Sequence, residues 1–254
     1  MSEDFPEPGV RLRAGPSCGR IHRIGTARFK TDAMYLASDC ELATYLWVYY
    51  MRPALHIAAQ VDCEPFETGR IADELRISHP RKRNGEARVI STDLVATVAK
   101  DGESSVEALN VKYWTFDVKK PSFGRLCSIE ARYYTSRGGE WYLVRSRGLN
   151  TNWARNFFYL YPTSDLYFFE GFNDAQLTAQ DMFLRRLRNP RGDVTVGDVC
   201  RNLQKDSQLG NGVAARAYRE LLATKRLWTD MNVDDLMQIA PSALVRNSPE
   251  LVMT

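Results

Sequence analysis

Arg88-Val-Ile-Ser-Thr-Asp93-Leu-Val-Ala-Thr-Val98-Ala-Lys-Asp101-Gly102-Glu-Ser-Ser-Val106-Glu-Ala-Leu-Asn110-Val-Lys112 is the stretch that decides the fold. Its first half is rich in β-branched residues, which favour a pleated strand. Asp101-Gly102 is a two-residue hairpin signal, and a second strand is expected from Val106 to Trp114. Residues at matched distances from such a turn face each other, so a turn centred on Asp101-Gly102 sets Asp93 opposite Asn110. The two-residue period then puts Asn110 and Lys112 on one face and apolar Val111 on the other. Asp93, Asn110 and Lys112 are therefore expected to converge.

Working outward toward the N-terminus, Leu42, Tyr45, Leu46 and Tyr49 recur at helical spacing between Ser38 and Met51, and Pro53 stops that helix. Leu55 to Val61 reads as a strand, as does Ile71 to Ile77, with a turn through Pro80, Asn84 and Gly85. Toward the C-terminus, Pro121-Ser122 opens a helix with Leu126, Ile129 and Tyr133 inward and Gly138-Gly139 at its end. Trp141 to Val144 is expected as a short buried strand closing the unit. Helix, strands, helix and strand in that order predict an α/β domain over 31–165, a mixed β-sheet core flanked by helices.

Beyond about residue 165 the texture becomes helical. Thr178 to Leu187 is one helix, ended by Asn189-Pro190-Arg191-Gly192. Thr195 to Gln204 is a second, and Asn211-Gly212 opens a third through Ala214, Ala217, Tyr218, Leu221 and Leu222 to the extended end at Lys225-Arg226-Leu227-Trp228. Three helices with a short extended end predict a small winged-helix-type domain over 166–254. Residues 1–30 mix Pro6, Pro8, Gly9, Gly15, Pro16 and Gly19 with Arg11, Arg13, Arg20, Arg23, Arg28 and Lys30. They read as a basic irregular arm, either a surface tail or a strap over phosphates.

Composition sets bounds on function. The chain has 254 residues, 44% of them hydrophobic and 26% charged, enough for a real core. Its net charge of +3, from 34 Lys+Arg against 31 Asp+Glu, permits nucleic acid as a partner without demanding it. No apolar run approaches the roughly 18 residues that would cross a bilayer, and the acidic Met1-Ser-Glu-Asp-Phe-Pro start is unlike a secretion signal. Cys18, Cys40, Cys63, Cys127 and Cys200 are scattered, without a C-x-x-C pair, so a reducing cytoplasm is the expected location. His22, His56 and His79 lack ligand spacing. No Ser-His-Asp triad, P-loop or dinucleotide fingerprint is present.

Phosphodiester hydrolysis needs a divalent ion, a positioned water and charge relief on the phosphate. Mg²⁺ prefers oxygen ligands and keeps several waters, so few protein ligands suffice. Asp93 offers a carboxylate, Asn110 an amide oxygen, Val111 its carbonyl, and Lys112 a charge for the phosphate or the attacking water. A carboxylate, a second ligand and a lysine in this order form the pattern of PD-(D/E)xK nucleases. Glu41 on the first helix is a further candidate ligand. It also completes Ser38-Asp-Cys-Glu41, an S-x-x-E capping box, and the two roles compete for the same oxygens.

Together these segments resemble the TnsA family, the endonuclease that works beside a DDE transposase in cut-and-paste elements. The resemblance is carried by Ser38 to Leu46 with Pro53 and Gln60, by Ile90-Ser-Thr-Asp93-Leu, by Asn110-Val-Lys112, and by Ile129-Glu-Ala-Arg-Tyr-Tyr134 followed by Trp141-Tyr-Leu-Val144. It spans roughly residues 35 to 150 and implies a restriction-endonuclease-like domain followed by a winged helix. It implies Glu41, Asp93 and Lys112 as the catalytic trio, and Glu41, Asp93, Asn110 and Val111 as holders of two Mg²⁺ ions, with Mn²⁺ as a substitute. The implied reaction is hydrolysis at the 5′ ends of a mobile element. The implied partners are double-stranded DNA at transposon ends, a TnsB-type DDE transposase, and a TnsC-type AAA+ regulator met by the C-terminal domain. Position 110 departs from the pattern: Asn stands where such nucleases commonly have Glu or Gln, which implies weaker metal affinity or a site completed by a partner.

Other residues carry two readings each. Lys119, Lys120, Arg125, Arg132 and Arg137 form either a solvated face or phosphate contacts. Tyr133, Tyr134, Trp141 and Tyr142 pack in the core or stack on bases. Arg216 and Arg219 share one helix face, for DNA or for protein docking. A stand-alone restriction or repair nuclease and a catalytically idle adaptor are the alternatives to the transposition subunit.

Overall fold

A computed structural model describes residues 20–30, 33–188, 194–207 and 209–246, which fall into two units. The first unit takes in the described residues up to Ile24 and Ala33–Leu149; the second takes in those from Gly25 to Lys30 and from Asn150 onward. In the first unit, β1 (His22–Ile24) pairs antiparallel with β2 (Met34–Leu36). Then follow α1 (Asp39–Met51), β3 (Ala54–Asp62), α2 (Pro65–Glu74), β4 (Ser91–Lys100), β5 (Glu103–Tyr113), α3 (Pro121–Thr135) and β6 (Glu140–Ser146).

The hairpin has the register set by its turn. Lys100 pairs with Glu103 and Leu94 with Leu109. Asp101 and Gly102 both have positive φ, 53° and 85°, as a tight two-residue hairpin turn requires. β3 is antiparallel to β4, and β6 is parallel to β5 across the α3 crossover, giving a mixed sheet in the order β3-β4-β5-β6. One face carries Ala58, Val95 and Ala108 against Ile71 and Ala72 of α2 and Ile129, Tyr133 and Tyr134 of α3. Alternation sends Leu94, Ala96 and Leu109 to the other face, where α1 lies. α1 is nearly sealed: Leu42, Tyr45, Leu46, Val48 and Tyr49 have no exposed surface.

The expected strand at Ile71–Ile77 is instead the end of α2, through Glu74, and the turn that follows it. Pro65 sits at its first turn, and the Glu64 carboxylate accepts from Phe66 N at 3.1 Å and Glu67 N at 2.6 Å, a cap that starts a helix. Thr68, Ile71 and Ala72 then fall on one buried helical face. Trp141–Val144 lies in an edge strand, half-buried where a buried one was expected. Of the basic arm, residues 1–19 lie outside the described residues, while His22–Ile24 is a strand and Ala27–Phe29 a 3-10 turn.

The main stretch of the second unit opens with a helix that the sequence did not mark off, α4 (Asn152–Glu170), so the later boundary falls at 149/150 and not near 165. Ala154, Phe157, Leu160 and Tyr161 of α4 are buried in this unit, and Phe157 stacks on Trp228 with ring centroids 6.0 Å apart. Then come α5 (Asp174–Arg188), α6 (Val196–Asp206, started by a Thr195–Asp198 capping box), α7 (Val213–Ala223), β7 (Leu227–Trp228) and β8 (Val245–Arg246). β7 and β8 pair antiparallel, which makes Leu227-Trp228 the extended end that follows the third of these helices. The Asn189–Gly192 terminator lies outside the described residues. No described helix is long and apolar enough to cross a membrane.

Candidate active site

The site lies where β4 and β5 part. Their register runs from Lys100/Glu103 to Leu94/Leu109, and one step further would set Asp93 opposite Asn110. There the ladder gives way to side chains. The Val111 backbone N–H donates to the Asp93 carboxylate at 2.6 Å, and the Lys112 ammonium donates to the same oxygen at 2.9 Å. On the other side of β4, Ala59 pairs with Leu94 and Val61 with Thr92, so Gln60 falls opposite Asp93. Gln60 has φ 53°, a left-handed backbone in mid-strand. For a non-glycine residue this costs on the order of 1–2 kcal/mol, and such residues gather at functional sites.

Glu41 faces this break from the start of α1. Its carboxylate accepts from Gln60 Nε2 at 3.1 Å, Ala37 N at 2.9 Å and Ser38 Oγ at 3.1 Å, while Ser38 Oγ accepts from Glu41 N at 3.2 Å. Only half of a capping box forms: Ser38 caps the helix, but Glu41 binds the N–H of Ala37 and turns toward Gln60. The cap and the site share one carboxylate. Burial first, and the Asp93 charge second, raise the Glu41 carboxyl above its ordinary value. A buried Glu41 beside the Asp93 charge is an electrostatic setting that a cation relieves.

Asp93 and Lys112 thus come together with Glu41 and Gln60, but Asn110 is drawn to a different neighbour. Its amide Nδ2 donates to Glu130 Oε2 at 2.6 Å, and Thr92 Oγ donates to Glu130 Oε1 at 2.7 Å. Glu130, on α3, has no exposed surface, and burial raises its carboxyl above the ordinary value. A carboxylate takes the nitrogen end of an amide, so the Asn110 oxygen is turned away from Glu130. That oxygen is buried and has no hydrogen-bond partner. Glu130 carried no role in the sequence reading, since a lone Glu inside an amphipathic helix looks solvated; only its placement beneath Asn110 and Thr92 shows otherwise.

The donor set can be tested against a divalent ion. The Lys112 ammonium lies 2.9 Å from both the Asp93 carboxylate and the Val111 carbonyl, so those two oxygens already converge on a positive charge. Asn110 Oδ1 is an orphaned acceptor of the kind a cation would satisfy. Among the described residues no group of three or more His, Cys, Asp and Glu forms, so an ion here draws on carbonyl and amide oxygens as well as on Glu41 and Asp93. All-oxygen ligation with few carboxylates suits Mg²⁺.

Lys119, Lys120, Arg125 and Arg132 are all exposed. Lys120 Nζ lies 5.8 Å from the Phe116 ring, Phe116 packs edge-on against Phe123, and Lys112 Nζ lies 5.9 Å from Phe123. Lys120 therefore belongs to the aromatic rim beside Lys112. Arg132, in the last turn of α3, lies about 10 Å further along the helix than Arg125. Arg137 falls beyond the helix and packs 3.9 Å over Tyr133, with Glu67 at 3.8 Å. Tyr133 and Tyr134 are core residues, while Tyr142 is 42% exposed.

A family model described as TnsA endonuclease C terminal matches residues 149–231, which begin at the boundary of the second unit. The chain is also similar to the Transposon Tn7 transposition protein TnsA of Escherichia coli. The two are 29% identical over 219 residues, covering 85% of this chain and 76% of that relative.

Proposed function

From the premise that this is a TnsA-family protein, matched in its second unit and along most of its length, we propose that it is a metal-dependent DNA endonuclease subunit of a cut-and-paste transposition machinery. The observation that carries the reading is the Asp93 carboxylate lodged where β4 and β5 separate, tied to Val111 N–H and Lys112. The first unit is read as a restriction-endonuclease-like, PD-(D/E)xK nuclease domain. Glu41, Asp93, the Val111 carbonyl and Asn110 Oδ1 would hold Mg²⁺, or Mn²⁺ in its place, in one or two sites. When bound, the ion would supply a more acidic water and relief of charge on the phosphate. Lys112, the one cation among these donors, steadies the phosphate oxygens as negative charge grows.

The substrate is double-stranded DNA at transposon ends, cut at the 5′ ends to free the non-transferred strand beside a TnsB-type DDE transposase. The three helices α5, α6 and α7 followed by the β7–β8 pair support a winged-helix reading of the second unit. We assign it to docking on a TnsC-type AAA+ regulator. The exposed Lys119, Lys120 and Arg125 would meet DNA phosphates, with Arg132 at the margin of that surface.

A strand-resolved cleavage assay on end-bearing DNA, with Mg²⁺ and the transposase, tests this. Asp93→Ala and Lys112→Ala should lose the 5′-strand nicks and keep the transposase's 3′ cuts. Variants that cut like the wild type would leave the chain an adaptor.

A further inference from the structure

A cluster that neither the catalytic trio nor the α3 lysines and arginines include adjoins Lys112. β5 and β6 run parallel with Lys112 beside Arg145 and Tyr113 beside Ser146. The pairing continues one residue beyond the strand, where Trp114 N donates to Ser146 O at 2.9 Å. The Arg145 guanidinium donates to the Trp114 carbonyl. Arg147 lies over the indole, its Cζ 4.7 Å from the ring centroid. Two arginines thus fix one tryptophan, by its backbone and by its ring.

The tryptophan is nevertheless 42% exposed, and Tyr113 beside it is 48% exposed. Both arginines are exposed, and among the described residues neither has a carboxylate within salt-bridge distance. An exposed cation–aromatic contact stabilises the fold only slightly. An indole already held by its neighbours, however, loses little freedom when something stacks on it. The rim continues from Lys112 through Phe123 and Phe116 to Lys120, so aromatic rings and cations alternate along the edge of the site. Aromatic faces take bases and flanking cations take phosphates, the combination that single-stranded nucleic acid selects.

We infer that Trp114, Arg145 and Arg147 form a subsite for an unpaired nucleotide flanking the scissile phosphate, with Trp114 stacking on its base and the arginines taking its backbone. The assignment rests on the nuclease reading. It adds that the chain grips DNA opened at the cut and not only an intact duplex, whose bases are already stacked inside the helix.

The test uses the full chain with its transposase and a fluorescein-labelled end duplex bearing a 5′ single-stranded flank, without Mg²⁺, followed by anisotropy between 50 and 200 mM salt. Trp114→Ala should weaken binding roughly 5- to 150-fold, the range for one stacked base, while Trp114→Phe retains most of it. Arg145→Gln with Arg147→Gln should flatten the slope of log affinity against log salt by roughly 1.4–1.8, the value for two lost phosphate contacts. The effect of Trp114→Ala should shrink on a blunt, fully paired duplex.

Each contrary result overturns the subsite. One is wild-type affinity and slope in all variants, and another is an equal loss on paired and unpaired DNA. A third is retained DNA binding with loss of the transposase, which makes this a protein-docking surface. A wild-type complex that holds no labelled DNA at 50 mM salt also overturns it. Failure of the nuclease reading shows separately, as Asp93→Ala cutting like wild type once Mg²⁺ is added.

Discussion

Each unit of the molecule buries a glutamate under a side-chain amide, and the two arrangements end differently. In the second unit, the Glu220 carboxylate accepts from Gln176 Nε2 and Gln180 Nε2, each at 2.8 Å. The Gln180 oxygen in turn accepts from Arg226 at 2.5 Å, so both ends of that amide are satisfied. In the first unit, Glu130 accepts from Thr92 and Asn110, but the Asn110 oxygen finds no partner. A buried acceptor left open costs about 1–3 kcal/mol. The closed network stabilises a helical core. The open one sits near a buried Glu41 whose charge burial and Asp93 disfavour, and near a strained Gln60, which is where a protein keeps binding capacity at the expense of stability.

The comparison can be broken in several places. The largest effect belongs to Lys112→Ala, expected to slow 5′-strand cleavage at least about 10²-fold in single-turnover assays while the far-ultraviolet circular dichroism stays native. Asn110→Ala removes the open acceptor, so the Mg²⁺ concentration for half-maximal cutting should rise roughly 10- to 100-fold; an unchanged titration would mean that the orphaned oxygen never meets the ion. Glu220→Ala strands the buried Gln180 amide, at a cost of about 1–3 kcal/mol, visible as a lower urea midpoint. Its cleavage rate per folded molecule should match the wild type.

The smallest effect concerns pH. Burial and then Asp93 hold the Glu41 carboxyl above its ordinary, unfolded value. The stability linked to its proton is therefore fully present below the unfolded value and is lost as pH rises through the raised one. Metal-free Glu41→Gln should melt above the wild type at pH 8, with the gap closing toward pH 4. A gap that widens on acidification would contradict the sign.

Much of this was legible in the chain because it depends on local chemistry. Asp101-Gly102 fixed the hairpin turn, and the turn fixed the register that brings Asp93 to the level of Asn110. Ser38 marked the start of α1 through its bond from Glu41 N. What escaped depends on neighbours distant in sequence or on competing signals. Ile71–Ile77 is too short for periodicity to separate strand from helix, and the deciding Glu64-Pro65 cap precedes it. α4 contains Pro162, a helix breaker by sequence, yet the helix runs on to Glu170. Period alone placed Asn110 and Lys112 in one constellation, but Glu130, twenty residues away, turns the Asn110 amide to itself. The positive φ of Gln60 leaves no mark in the sequence at all.

Asp93→Asn is the sharpest probe of this site, because it replaces one carboxylate oxygen with an amide nitrogen and keeps the side chain's shape. Strand-resolved cleavage of end DNA and thermal melting would be measured on the same preparation. The expected result is that 5′-strand nicks disappear while the metal-free protein keeps a cooperative melting transition, since the amide can still accept from Val111 N–H at the same place. A variant that still nicks the 5′ strand at the wild-type rate would contradict it and move the active site away from the parting of β4 and β5.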